Sequence, residues 1–333
     1  MPSKKTNHKP SLIGKIQKSK SKKKDIVILG RKKFFDLRPT DLARIKAGIE
    51  LEGKDPIEIG QLGFSTRPLV QANLPHSKPK KKDESFWVRR NGNFTLSIQS
   101  DVTVNPKTGE QELIGIPYGT VPRLILFYLC SEAVRTKSRT ISLGDNLSVF
   151  LRELGLQPTG GKKGDITRFK NQMRRLVTAK IKFQCTTDSA EASVNASIAK
   201  RHLFFWDKDP LQSSLFESQI VLDSDFYDEI IAAPVPIHLG AVSALKSSSF
   251  GLDLYTWLTY RVSNLRNPVR VSWDDLREQL GADYGSTKEF ARRARKVLSE
   301  VKSVWKSLDI DTVRGGILIK PCEPSIPRKK RIE

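Results

Sequence analysis

The stretch LDLYTWLTYRVSNLRNPVRVSWDDLREQLGADYGSTKEFARRARKVLSEVKSVWKSLDI, residues 252–310, decides the fold. It opens on a long apolar helix. A short strand, Val269–Ser272, leads into a second helix that stops near Gly281. After Gly285 a third helix carries Phe290, Ala294, Val297, Leu298, Val301 and Trp305 at helical spacing, which predicts one inward face. An extended segment follows, with a Gly315-Gly316 turn. Helix, strand, helix, Gly-rich turn, Arg-rich helix and β-segment is the order of a winged helix-turn-helix, a DNA-reading unit.

Working outward, the same order is written once before. Residues 117–183 read PYGTVPRLILFYLCSEAVRTKSRTISLGDNLSVFLRELGLQPTGGKKGDITRFKNQMRRLVTAKIKF. Here Ile166, Phe169, Met173, Leu176 and Val177 fall on the inward face of the third helix. The expected fold class is therefore α+β, with two tandem winged-helix domains related as a pseudo-repeat and preceded by a disordered basic N-terminal arm.

The faces opposite the apolar stripes are the candidate DNA-binding sites. In the first copy they carry Arg168, Asn171, Gln172 and Arg175 outward, with Lys170 and Arg174 flanking. In the second, Lys288, Arg292, Arg295 and Ser299 point outward, with Arg293 and Lys296 on the flank. Arg matches the paired acceptors of guanine, and Asn or Gln the donor and acceptor of adenine. Flanking Lys and Arg suit phosphates and set register. Ser286 or Thr287 can cap the last helix, whose first amides suit a phosphate. Arg314, beside the Gly-Gly turn, is a candidate wing-tip contact. Only Glu289 puts an acid on the second face, which is unusual for a merely solvated helix.

Charge supports a polyanionic partner. The net charge is +22, but 17 of it sits in three runs: residues 1–24 (nine Lys, no acid), 78–82 (four Lys) and the RKKR at 328–331. Flexible arms of this kind add salt-sensitive, sequence-independent affinity. The expected division is an arm at 1–24, a small appendage and Pro/Lys linker at 25–84, a first winged-helix domain at 85–233, a second at 234–322, and a basic tail at 323–333. In the appendage, Thr40 caps a short helix through Leu42, Ile45 and Ile49, stopped by Gly53. Phe94–Val104 and Leu113–Ile116 read as a hairpin around the turn Asn105–Gly109. Lys180–Thr186 and Arg201–Trp206 read as strands of a large wing, separated by a polar stretch at 187–199. Ile220–Leu222 is a further strand and Asp223–Ile231 a helix, and the Ala232–Pro236 break marks the domain boundary.

Several function classes lack their chemistry. No apolar run approaches membrane-spanning length, and no apolar stretch follows the basic start, so neither membrane nor secretory signal is expected. Cys130, Cys185 and Cys322 form no CxxC pair, which fits a reducing cytoplasm and no structural zinc. GLQPTGGKK at 155–163 lacks the Lys-Ser/Thr ending of a phosphate loop and joins two helices, so it reads as the turn of a helix-turn-helix. A strand-nicking enzyme needs a His-x-His metal site, but His8, His76, His202 and His238 are isolated. The pairs Asp207/Asp209 and Asp309/Asp311 read as a turn and a strand entrance. No enzyme activity, metal or cofactor is expected.

The stretches LGFSTRPLVQANLPHSKP (62–79), IPYGTVPRLILFYLCSEAVRTKSR (116–139) and FLRELGLQPTGGKKGDITRFKNQMRRL (150–176) resemble the RepA-type replication initiators of bacterial plasmids. The resemblance runs from about Leu62 to Ile231 and is architectural from 237 to 320. It implies a tandem winged-helix initiator that binds repeated origin sites on double-stranded DNA, helps open adjacent AT-rich DNA, and recruits the host initiator and replicative helicase. It also implies autorepression, often as a homodimer, for which the 94–116 hairpin is the candidate surface. One departure is Lys163, where the family carries an aromatic residue after a basic one; the local turn is expected to differ. The rival readings are a repressor alone, a nicking enzyme, and an RNA-binding protein.

Overall fold

The structure, a computed structural model, describes residues 38–80, 83–205, 216–281 and 284–327. The Lys-rich arm at 1–24, most of the basic tail, Trp206 and the Asp207/Asp209 pair lie outside the described residues. The chain is mixed α+β, with several small sheets rather than one large one.

Two long helices form the centre. They are α3 (Thr120–Thr136) and α8 (Ser249–Ser263), the third and eighth helices along the chain. Both are apolar around most of their circumference, so both are buried on most sides: Leu124, Ile125, Leu129 and Cys130 in one, Leu252, Leu254, Tyr255 and Leu258 in the other. Burial in apolar surroundings pushes the Cys130 thiol up to about 12, so it behaves as a small core side chain.

Around α3 the first unit adds β6 (Thr140–Ser142), α4 (Leu147–Glu153) and α5 (Asp165–Thr178). Around α8 the second adds β12 (Val269–Ser272), α9 (Trp273–Leu280), α10 (Thr287–Val304), β13 (Ile310–Val313) and β14 (Gly316–Ile319). The element order predicted from sequence is thus present twice. The predicted inward residues Ile166, Phe169, Met173, Leu176 and Val177 of α5 are all buried, as are Phe290, Ala294, Val297, Leu298 and Val301 of α10 and the following Trp305.

The β-segments diverge between the units. In the second, β12, β14 and β13 make one antiparallel sheet, so the strand before α9 closes onto the hairpin after α10. In the first, β7 (Lys180–Thr186) pairs instead with β3 (Phe94–Gln99), in a sheet ordered β2-β3-β7-β8 with β2 at Phe86–Asn91 and β8 at Glu191–Ser197. The strand before α4, β6, pairs with β10 (Gln219–Leu222), which pairs with β9 (Ala199–Leu203). The single large wing is therefore two sheets, and most of the polar 187–199 stretch is strand. β8 reads as polar because it is an edge strand with one face in solvent.

Two more expectations change. The strand from Phe94 breaks at Ser100-Asp101, and Val102–Val104 (β4) pairs with Gln111–Leu113 (β5) as a separate hairpin. The break is fixed by the Ser100 side chain, which accepts the Gly115 N–H at 2.7 Å. The 232–236 break holds β11 (Pro234–His238), paired with β1 (Leu62–Thr66) of the appendage; α2 (Arg67–Gln71) follows β1, and α6 (Ser224–Ala232) and α7 (Leu239–Leu245) flank β11. The appendage helix α1 spans Pro39–Leu51, starting two residues earlier than expected from Thr40.

His76, in the expected Pro/Lys linker, is largely covered, its side chain 11% exposed. It stacks on Phe250 and contacts Asp253 at 2.8 Å. Asp253 also receives Arg123 of α3 at 2.6 and 2.7 Å, and Arg123 donates to the carbonyls of Leu74 and Pro75. One buried polar cluster thus ties the 74–76 segment and the two long helices together.

Candidate nucleic-acid interface

In the second unit the candidate face is assembled by its own turn. Ser286 caps α10 by accepting the Glu289 N–H at 3.2 Å. Arg277 of α9 donates to the Thr287 hydroxyl and to the Tyr284 carbonyl, and Thr287 donates to Asp274. These bonds fix the angle between α9 and α10 from both sides of the turn. Beyond it, Lys288, Arg292, Arg295 and Lys296 are exposed, while Arg293 is half-buried. Among the described residues, no side-chain hydrogen bond or ion pair engages Lys288, Arg292 or Lys296. The Arg295 guanidinium lies 5.0 Å over the Trp273 ring, a cation–π contact that restricts its rotamers. Arg293 hydrogen-bonds Tyr284; burial raises that phenol despite the nearby cation, so it stays neutral. At the wing tip Gly315 sits at φ +79°, and Arg270 donates to the Arg314 carbonyl at 2.6 Å, holding the exposed Arg314 in place.

The first unit presents a different face. Asn146 caps α4 by accepting the Ser148 and Val149 N–H groups, and Thr159 accepts the Asp165 N–H at 3.1 Å. The turn between α4 and α5 is thereby pinned, with Lys163 exposed in it. Gln172, expected outward, is 6% exposed, and its side-chain oxygen accepts the Tyr118 N–H at 2.9 Å. Arg175, also expected outward, is half-buried. It donates to Asn171 Oδ1 and to the Ile116 carbonyl, and lies 5.5 Å over the Tyr118 ring. Arg174 donates to Thr103 Oγ1 of β4, and Arg168 pairs with Asp165 at 2.8 Å. Lys170 is half-buried. The segment leading from the β4–β5 hairpin into α3 therefore lies along the C-terminal half of α5. The helical spacing was right; what it omitted was a neighbour from earlier in the chain, which converts two outward positions into internal contacts.

The cluster His76–Asp253–Arg123 escaped the sequence reading. Its signal was present: Arg123 and Asp253 are single charges set inside the apolar runs 121–130 and 250–258, which points to mutual pairing. Burial alone would raise the Asp253 carboxyl, but Arg123 and the hydrogen bonds from His76 and Arg123 outweigh it and hold it below the usual carboxylate range. Burial pushes His76 below 6.5, against the pull of Asp253, because Arg123 already balances that charge. His76 is therefore the neutral member.

Residues 116–275 match the family described as plasmid encoded RepA protein, a span that runs from the start of α3 into α9. The resemblance to RepA-type plasmid replication initiators is thus shown over that span. A solved structure of domains 2 and 3 of RctB is similar at a TM-score of 0.46 and 11% identity, over 72% of this chain and 84% of that one, a likeness too loose to define the fold. No curated protein matches the chain. No helix among the described residues is long and apolar enough to cross a membrane.

Proposed function

We propose that this chain is a plasmid replication initiator that binds double-stranded DNA through two winged helices, and that it acts by binding and distortion without catalysis, metal or cofactor. The observation that carries the reading is the face of α10. It is an exposed row of cations, capped and angled by its own turn, beside a closed three-stranded sheet, in a chain whose centre matches plasmid RepA proteins. Arg292 and Arg295 take base edges, Lys288 and Lys296 take phosphates, and Arg314 follows the backbone at the wing. In the first unit Arg168, Asn171 and Arg174 retain exposed atoms, whereas Gln172 and Arg175 act mainly as internal supports.

Two reading helices on one face of a duplex sit about one helical turn, roughly 10 bp, apart. One molecule then covers on the order of 20 bp asymmetrically, because the two faces differ, and direct repeats are its natural site. By family resemblance, opening of neighbouring DNA, recruitment of the host initiator and helicase, and autorepression as a homodimer follow, all in the cytoplasm. The experiment is a footprint on DNA flanking the protein's own gene across a salt series, followed by permanganate probing for unpaired thymines. Regularly spaced protection with adjacent strand opening supports the initiator. A single protected palindrome without opening means a repressor alone, and pattern-free, salt-labile coverage overturns the reading.

A further inference from the structure

We infer that α1 is a strap that sets the seat of α10, and that Gly48, Arg44 and Glu300 are positioning residues for the DNA-reading face. The inference rests on the reading that α10 contacts DNA. Glycine is unfavourable in the middle of a helix, yet Gly48 stands inside α1. An added Cβ there would collide with the Ser303 carbonyl oxygen and lie 3.2 Å from the Val304 Cα, so the two helix backbones touch at this point. Only glycine permits that approach.

The rest of the contact is ionic and buried. Asp41, Arg44 and Glu300 are 8%, 5% and 6% exposed. Arg44 Nη1 lies 3.0 Å from Asp41 and 3.4 Å from Glu300, and its Nη2 donates to Ser247 Oγ at 3.0 Å. Arg38, at the start of the helix, bonds Asp41 and reaches within 3.9 Å of Glu300. Arg44 Nε and Glu300 Oε2 have no partner among the described residues. A buried ionic cluster recovers little net stability because desolvation offsets attraction, but it accepts one geometry and penalises others. The apolar positions of α1 are less covered than this ionic cluster. Ile49 is 50% exposed, and Leu42 and Ile45 are only half-buried.

Glu300 lies one turn beyond Lys296 on the same rigid helix and 12 residues from Lys288, roughly 18 Å at 1.5 Å per residue. A change of seat at Glu300 therefore reaches the reading residues as a tilt of the whole face. The appendage, outside the DNA-reading units in sequence, thereby orients one of them.

The test uses the full chain on DNA flanking its own gene, with DNase footprinting and helical content read by circular dichroism. Gly48→Ala favours helix in α1 while forbidding the seat. It is expected to keep helical content, to lose protection over the half-site contacted by α10, and to lower specific affinity at least tenfold while the other half-site stays protected. A variant that lost only overall stability would lose both halves together. Should Gly48→Ala not fold, Glu300→Gln, which removes one buried charge at constant shape, is expected to weaken the same half-site several-fold. If both variants protect both halves like the parent while Arg295→Ala strips one, the strap inference is overturned. If Arg295→Ala strips nothing, the reading of α10 itself is wrong and the inference falls with it.

Discussion

The two units share an order of elements and differ in what covers their third helix. α10 turns Lys288, Arg292, Arg295 and Lys296 to solvent, backed by a sheet made from its own unit. α5 has its C-terminal half clasped by residues 103–118, and the strand that follows it leaves for a sheet shared with β2 and β3. A repeated pattern therefore does not mean repeated function. The second unit presents an exposed row of cations; the first uses much of the matching face to hold a neighbouring segment.

The largest expected effect bears on what joins the two. Asp253→Ala strands the Arg123 guanidinium between α3 and α8, and removal of one partner of a buried pair costs about 3–5 kcal/mol. Urea unfolding should show that loss, and a cost under about 1 kcal/mol would mean the units are joined mainly by apolar packing. Next comes the reading face. Arg295→Ala should cost about 1–3 kcal/mol on the specific site and relax base preference at one position. Arg175→Ala, by contrast, should act on stability, costing about 1 kcal/mol in urea unfolding through its lost hydrogen bonds, and should lower specific affinity less than Arg295→Ala does. Equal losses for the two arginines would erase the distinction between the units. A smaller effect separates phosphate from base contacts: Lys296→Ala should weaken binding on every sequence and flatten the salt slope by about one.

The smallest effect is a pH dependence of stability. The folded-state pKa of His76 is depressed below 6.5, so between those two values the unfolded chain binds the extra proton. Stability is therefore full above about pH 6.5 and declines as pH falls toward the folded value. His202 and His238 are shifted the same way by burial, so His76→Gln should reduce the decline without abolishing it. A melting series from pH 7.5 to 5 in which the variant and parent fall in parallel would remove His76 from the explanation.

Much of this was legible in the chain. The apolar spacing of 166–177 and 290–305 located both inward faces, and the turns at Gly155–Lys163 and Gly315-Gly316 lie where the residues place them. What the sequence hid were long-range partners. Nothing local says that Tyr118 will offer its N–H to Gln172, or that β7 will choose β3 over a partner in its own unit. Periodicity also left the docking of α1 unread. Leu42, Ile45 and Ile49 mark a helix, which is there, but do not say that it docks through Asp41, Arg44 and Gly48. The isolated mid-helix glycine was the local sign of that close approach.

The most direct measurement of the central claim compares paired substitutions on DNA flanking the gene, at one fixed salt concentration. Arg292→Ala with Arg295→Ala in the second unit is set against Arg168→Ala with Arg174→Ala in the first. The account predicts that the second-unit pair lowers specific affinity by at least tenfold more than the first-unit pair. An equal or larger loss from the first-unit pair would show that α5, despite its clasp, is the principal reading helix.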